Sequence, residues 1–184
     1  MRERKMVRRG QMSLEFMVIF SLLLIMLFYS VNNLAFTQGT IAQTQLTVEV
    51  ALEAKQVATT IAGTISQVYA QGPGSKATSY VSLRYLSNTY YLERAFSSSQ
   101  VQIAYINGSV RVTIGDTPIT NGPDKNTFSA PTLYNTTFDT AISFSDGVPV
   151  KTLKVVVEWN PDKGESWTFD DAKGVLMINI NPGG

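Results

Sequence analysis

The chain has 184 residues, of which 44% are hydrophobic and 16% charged, and it contains neither cysteine nor histidine. Its 15 lysines and arginines nearly balance 14 acidic residues, which leaves a formal net charge of +1. Without cysteine there is no disulfide framework, thiolate nucleophile or cysteine-ligated metal, and without histidine there is no serine–histidine pair, histidine zinc site or imidazole proton shuttle. We therefore expect a single domain with an appendage, and no enzyme activity, metal or cofactor.

The charge is unevenly distributed along the chain. Residues 1–10, MRERKMVRRG, hold five basic side chains and one acidic one, a net charge of +4, whereas residues 11–184 carry −3. The stretch 16–36 is uncharged and largely apolar. A bilayer core takes roughly 20 apolar helical residues, so this stretch predicts a membrane-spanning helix. The basic residues before it predict a cytoplasmic N-terminus and an external C-terminal part.

The junction between the basic leader and the apolar stretch reads R-R-G-Q-M-S-L-E-F. This pattern resembles the class III signal peptide of type IV pilin precursors, and in particular the archaeal type IV pilins that begin Q-x-S-x-E-F. The resemblance covers residues 1 to about 36. It implies cleavage between Gly10 and Gln11 by a prepilin peptidase on the cytoplasmic side. The processing and assembly motif that it implies consists of Gln11, Ser13, Glu15 and Phe16.

Glu15 is the fifth residue of the chain that such a cleavage would leave. Type IV pilins carry a glutamate at this position, which implies that Glu15 neutralises the new α-amine of Gln11 in a neighbouring subunit. The other interpretation is an anion favourably placed near a helix N-terminus, where it gains roughly 0.3–1 kcal/mol. That interpretation does not account for the leader motif.

The resemblance also implies partners and a location. The partners are further copies of the chain in a helical homopolymer, the prepilin peptidase, an assembly ATPase and a membrane platform protein. The precursor is expected in the archaeal plasma membrane, and the mature chain in an extracellular filament used for adhesion or surface attachment. A minor pilin, an archaellin-like filament subunit and a non-polymerising surface-anchored binding protein are the alternatives. Nucleic acid is not an expected partner, because the mature chain has no basic patch.

A helical pattern continues beyond the apolar stretch as far as Gly72-Pro73-Gly74, where proline stops a helix. We predict one helix from about Met12 to about Ala70, with its first half apolar all round. Glycine inside a helix costs about 1 kcal/mol relative to alanine, so a kink at Gly39 is one possibility. In the second half, seven apolar residues with a mean spacing of 3.67 predict a stripe that packs on the globular domain. They are Leu46, Val50, Ala54, Val57, Ile61, Ile65 and Val68.

The remainder of the chain alternates in hydropathy and is rich in Val, Ile, Thr, Tyr and Phe. Short strands with frequent turns predict an antiparallel β-sandwich-like domain or a partly open barrel, and hence an α+β fold. The predicted division is a leader at 1–10, a helix at 11–72 with 11–36 as anchor and filament core, and an extracellular β-rich domain at 75–184. The predicted strands are Thr78–Leu86, Tyr90–Phe96, Val101–Ile106, Val110–Ile114, Phe138–Phe144, Leu153–Trp159 and Val175–Ile180.

Two sequons are candidate N-glycosylation sites, at Asn107 and at Asn135. Asn107 has a second explanation, because Asn107-Gly108 predicts the two-residue turn of a type I′ hairpin. Four acidic residues are interpreted as solvated turns, since no calcium-loop pattern accompanies them; they are Asp162, Glu165, Asp170 and Asp171. Five aromatic residues form either a ligand surface or core and inter-subunit contacts. They are Tyr85, Tyr90, Tyr91, Trp159 and Trp167.

Overall fold

The computed structural model describes residues 3–138 and 140–182, and within the first helix it describes the side chains of residues 15–32 and 42–71. Over these residues the chain forms two helices and eight strands, so the predicted α+β class is confirmed. In chain order they are α1 (Glu3–Gln71), β1 (Lys76–Ser82), α2 (Thr89–Phe96), β2 (Val101–Ile106), β3 (Ser109–Ile114), β4 (Thr127–Pro131), β5 (Ile142–Phe144), β6 (Thr152–Glu158), β7 (Ser166–Asp170) and β8 (Val175–Asn179).

The chain divides into two compact units, Met1–Gln43 and Thr44–Gly184, and α1 contributes residues to both. The helix begins at Glu3, earlier than predicted, because the arginines, lysine and methionine that follow are good helix formers. Its backbone is helical at Gly39. The helix ends where Gly72 adopts φ 88° and donates its N–H to the Val68 carbonyl at 3.2 Å. This left-handed glycine supplies the stop that the sequence predicts.

The apolar stripe of α1 lies in the core of the second unit. Leu46 is half-buried, and the other six members of the stripe are at most 1% exposed. Burying each valine or isoleucine side chain contributes about 1.5–3 kcal/mol. The predicted stripe is therefore confirmed, and the helical residues from Thr44 onward belong to the same compact unit as the strands.

The strands of the second unit form two four-stranded sheets, with strand orders β1-β6-β8-β7 and β4-β3-β2-β5. The pairs are antiparallel except for β6 and β8, which run parallel. The all-antiparallel prediction is wrong for this pair. The chain leaves β6, forms β7 at the sheet edge, and returns as β8 between the two, so β8 has the same direction as β6.

The segment Tyr90–Phe96, predicted as a strand, belongs to helix α2. The Asn88 side chain accepts a hydrogen bond from the Tyr90 N–H at 3.0 Å, and Ser97 ends the helix with φ 55°. An asparagine N-cap satisfies a donor that the first turn leaves free, and here it outweighs the strand propensity of two adjacent tyrosines. The sequence patterns predict neither β4 nor β7, because each is only five residues long and contains few apolar side chains.

Helix α1 also contacts an outer strand of each sheet through polar side chains. Thr64 Oγ1 and Ser79 Oγ, on α1 and β1, are 2.8 Å apart. Lys55 Nζ donates to the Ser129 carbonyl of β4. Edge strands carry unpaired backbone groups that can recruit other chains. The helix side chains satisfy one such group on β4 and contact a β1 side chain directly.

Candidate functional site

One helical segment among the described residues is long and apolar enough to cross a membrane. It spans Glu15–Asn32, with a mean hydropathy of 1.9, and none of it is buried. Phe28 is 70% exposed and Met26 is 74% exposed. The Ser21 hydroxyl donates to the Met17 carbonyl at 2.8 Å, so this serine satisfies its donor within the helix. An exposed apolar surface of this size marks contact with a membrane or with other proteins.

The predicted processing residues fall at the start of this segment. The surroundings of Gly10 and the side chains of Gln11 and Ser13 lie outside what the structure describes. Glu15 and Phe16 are exposed, and the Phe16 ring stacks on Phe20 with a centroid distance of 6.2 Å. Among the side chains that the structure describes, none forms an ion pair with Glu15. Its carboxylate is therefore accessible to a group from another molecule.

A buried carboxylate fixes the second part of α1 to the loop that follows β1. Glu53 is only 8% exposed, and its two carboxylate oxygens accept hydrogen bonds from three consecutive backbone N–H groups at 2.9–3.1 Å. The donors are Arg84, Tyr85 and Leu86. Hydrogen bonds to an ionised acceptor are stronger than neutral ones. Glu53 was not among the candidate residues; its signal in the sequence is an acid adjacent to Ala54 of the apolar stripe.

The two predicted sequons, 28 residues apart in the sequence, touch in the structure. Asn107 and Gly108 have φ of 49° and 67°, which confirms the predicted hairpin turn. The Asn107 N–H donates to Thr137 Oγ1 at 2.9 Å, and Thr137 Oγ1 donates to Asn107 Oδ1 at 3.3 Å. Gly108 N–H donates to the Thr136 carbonyl at 2.9 Å. Both asparagine side chains belong to exposed residues.

A groove of about 630 Å³ lies beside Asn135. Leu133 at its wall is 65% exposed, and its N–H donates to Ser66 Oγ of α1 at 3.1 Å. Thr136 Oγ1 lies 3.5 Å from Glu165 Oε2. The groove lining includes Tyr69, Leu133, Asn135, Thr136, Glu165 and Asn181.

The aromatic residues singled out in the sequence do not form one surface. Tyr91 contacts Tyr85 and Tyr90, with ring centroids 5.3 and 5.5 Å apart. Trp159 instead stacks on Tyr69 at 5.8 Å. Trp167 is 5% exposed and packs in the core, where it contacts the rings of Tyr105 and Phe138.

The acidic residues near the C-terminus also have different surroundings. Glu165 lines the groove, whereas Asp170 pairs with Lys173 at 3.3 Å. The hydrogen bond from Lys173 lowers the pKa of the Asp170 carboxyl. The structure shows no group of three or more potential metal ligands within the described part of the chain.

Comparison with protein-family models, with curated proteins and with solved structures found no match for this chain. The resemblance to type IV pilins therefore depends on the N-terminal motif. The structure adds three features that bear on function. They are an exposed apolar helical segment, a carboxylate clamp on the same helix, and a polar groove beside paired sequons.

Proposed function

We propose that the chain is the structural subunit of an archaeal type IV pilus-like surface filament, in which the apolar segment of α1 packs against copies of itself after the leader is removed. The observation that carries the proposal is that every residue of Glu15–Asn32 is exposed, in a helix whose later residues lie in the core of a folded unit. An apolar segment without a covered side needs lipid or other helices around its whole circumference.

The energetics favour a membrane precursor and a helical polymer. Each large apolar side chain that leaves water contributes about 1.5–3 kcal/mol, which first favours insertion in lipid. Exchange of lipid for other helices then depends on packing and polar contacts rather than on further hydrophobic transfer. Identical subunits that meet through two different surfaces form an open helical filament.

Glu15 supplies the polar contact that this exchange requires. A charge at the centre of a membrane helix costs about 2.5–3.5 kcal/mol, so an unpaired Glu15 opposes deep burial. Cleavage between Gly10 and Gln11 removes a leader of net charge +4 and creates one α-amine. Pairing that amine with Glu15 of a neighbouring subunit neutralises both groups inside the filament.

The second unit, Thr44–Gly184, would form the outer part of the filament. Its two sheets would form a sandwich-like body, presented outside the cell for adhesion or surface attachment. The remaining partners follow from the same pathway: a prepilin peptidase for the leader, and an assembly ATPase and platform protein in the membrane. A surface-anchored protein that never polymerises would share the leader and the anchor but not the filament.

Two variants, each with a control, test the proposal in sheared surface fractions and in membranes. Gly10→Val places a branched side chain at the scissile bond, so it should leave the whole precursor in the membrane. Gly164→Val is its control, since a Cβ at Gly164 meets nothing within 4 Å. Glu15→Ala should be cleaved normally but lost from the sheared fraction, whereas Glu49→Ala, which removes an exposed acid of the same helix, should assemble normally. Normal filament yield from Glu15→Ala would contradict the pairing.

A further inference from the structure

We propose that Asn135 is N-glycosylated, that Asn107 is not, and that the first sugars of the glycan lie in the groove beside Asn135. The proposal rests on the proposed function in one respect, because the modified domain must reach the outer side of the membrane. Both sequons satisfy the sequence pattern equally, so the distinction between them comes from the structure.

Asn107 is held in a hairpin that a modifying enzyme would have to open. Its backbone N–H and its side-chain Oδ1 are both bonded to Thr137 Oγ1, and it lies in the turn with φ 49°. Because Thr137 also carries the hydroxyl of the Asn135 sequon, these bonds affect both sequons, and the difference between them comes from strand pairing. Ser109, which carries the hydroxyl of this sequon, lies in β3 and pairs with Ile106 and Pro131. An acceptor asparagine is recognised together with the hydroxyl two residues later, typically in a surface loop. Presenting Asn107 would therefore break the ends of two strand pairings.

Asn135 lies in a segment outside the strand ladders, between β4 and β5, and it is exposed. A Cβ built on Gly108 would be 3.0 Å from Asn135 Oδ1, so this oxygen is packed against the hairpin. Asn135 is also part of the groove lining.

The chemistry of the groove suits a neutral, hydroxyl-rich ligand. Thr136, Glu165 and Asn181 offer hydrogen-bond donors and acceptors along its wall. Glu165 is the one charged residue among the described lining residues, so the groove presents no cation for an anionic group. Leu133 and Tyr69 provide apolar surface for the faces of sugar rings, and covering the 65%-exposed Leu133 removes apolar area from water.

The modification is a glycosyl transfer from a lipid-linked sugar phosphate. A bond forms between Asn135 Nδ2 and the anomeric carbon of the first sugar. The bond between that carbon and a phosphate oxygen of the donor breaks, and the lipid phosphate leaves with the electron pair. Nδ2 loses one proton to the surrounding solvent or to the leaving phosphate, and no atom changes its oxidation state in net terms.

Glycopeptide mass spectrometry of the chain, purified from the cells that make it, tests the proposal. The peptide with Asn135 should carry a sugar mass and the peptide with Asn107 should not. Asn135→Gln should lose the entire N-linked mass, whereas Asn107→Gln and Thr137→Ser should retain it, since Thr137→Ser keeps the hydroxyl. A sugar on Asn107, or on neither asparagine in sheared filaments, would overturn the proposal while leaving the filament function intact. A chain missing from filaments would instead count against the proposed function.

Hydrogen exchange tests the position of the glycan. The Asn135→Gln chain purified from the same cells serves as the control, because it undergoes the same leader processing and lacks the sugar. The amides of residues 133–136 should exchange more slowly in the glycosylated chain. Equal exchange rates in this segment would show that the sugars extend into solvent, and would overturn the placement in the groove.

Discussion

Replacing Glu53 by glutamine tests how α1 is joined to the globular unit. The carboxylate accepts hydrogen bonds from three consecutive N–H groups, and glutamine keeps only one acceptor oxygen and adds an NH₂ donor. At least one buried N–H then loses its partner, which costs about 1–3 kcal/mol. The remaining bonds lose their charge assistance, for about 1 kcal/mol more. We expect Glu53→Gln to lower the free energy of unfolding by about 2–4 kcal/mol.

The assay is chemical unfolding of the full chain in detergent, followed by tryptophan fluorescence. Trp159 and Trp167 both lie in the second unit, so their emission reports on the part of the chain that Glu53 stabilises. Glu49→Gln is the matched control, since Glu49 is an exposed acid one helical turn away, and it should change stability by less than about 0.5 kcal/mol. Equal destabilisation by the two variants would refute the clamp.

Two further predictions concern stability. Gly63→Ala should raise the free energy of unfolding by up to about 1 kcal/mol, because glycine is a poor helix residue and a Cβ at this position meets nothing within 4 Å. A lower free energy of unfolding for this variant in the same assay would contradict the prediction. Hydrogen bonds from Lys163 and Lys76 lower the pKa of the Glu158 carboxyl. A lowered carboxyl pKa stabilises the fold at neutral pH, and the contribution is lost as pH falls below the usual value. At neutral pH, Glu158→Gln should lower the free energy of unfolding by less than about 1 kcal/mol, because the ion pairs are exposed. This difference from wild type should vanish in acid. A difference that persists in acid would contradict the role of the Glu158 carboxylate.

The sequence predicted those features that depend on periodicity and on turn chemistry. The stripe from Val50 to Val68 follows from its spacing, and the hairpin at Asn107 follows from its turn residues. Both signals are local, and the structure confirms them. The strand predicted from the two adjacent tyrosines was wrong, because the Asn88 N-cap starts a helix in that segment.

Features that depend on distant contacts could not be predicted. The position of β8 between β6 and β7 has no signal in the sequence, because each of the three strands has an ordinary strand composition. The three donors of Glu53 lie more than thirty residues away on a loop, and backbone N–H groups have no sequence signature. The contact between Asn107 and Thr137 likewise depends on how the segment after β4 packs against the hairpin. The two sequons, equivalent in the sequence, differ in that Ser109 pairs with two strands and residues 135–137 belong to none.

Polymerisation of the processed chain through its apolar helix can be tested on filaments from the cell surface. The most direct measurement is the mass of the N-terminal peptide of this chain in sheared surface filaments, compared with that in the membrane fraction. The filaments should contain the chain as a major component, and it should begin at Gln11. A chain that begins at Met1 and is confined to the membrane fraction would contradict both processing and assembly.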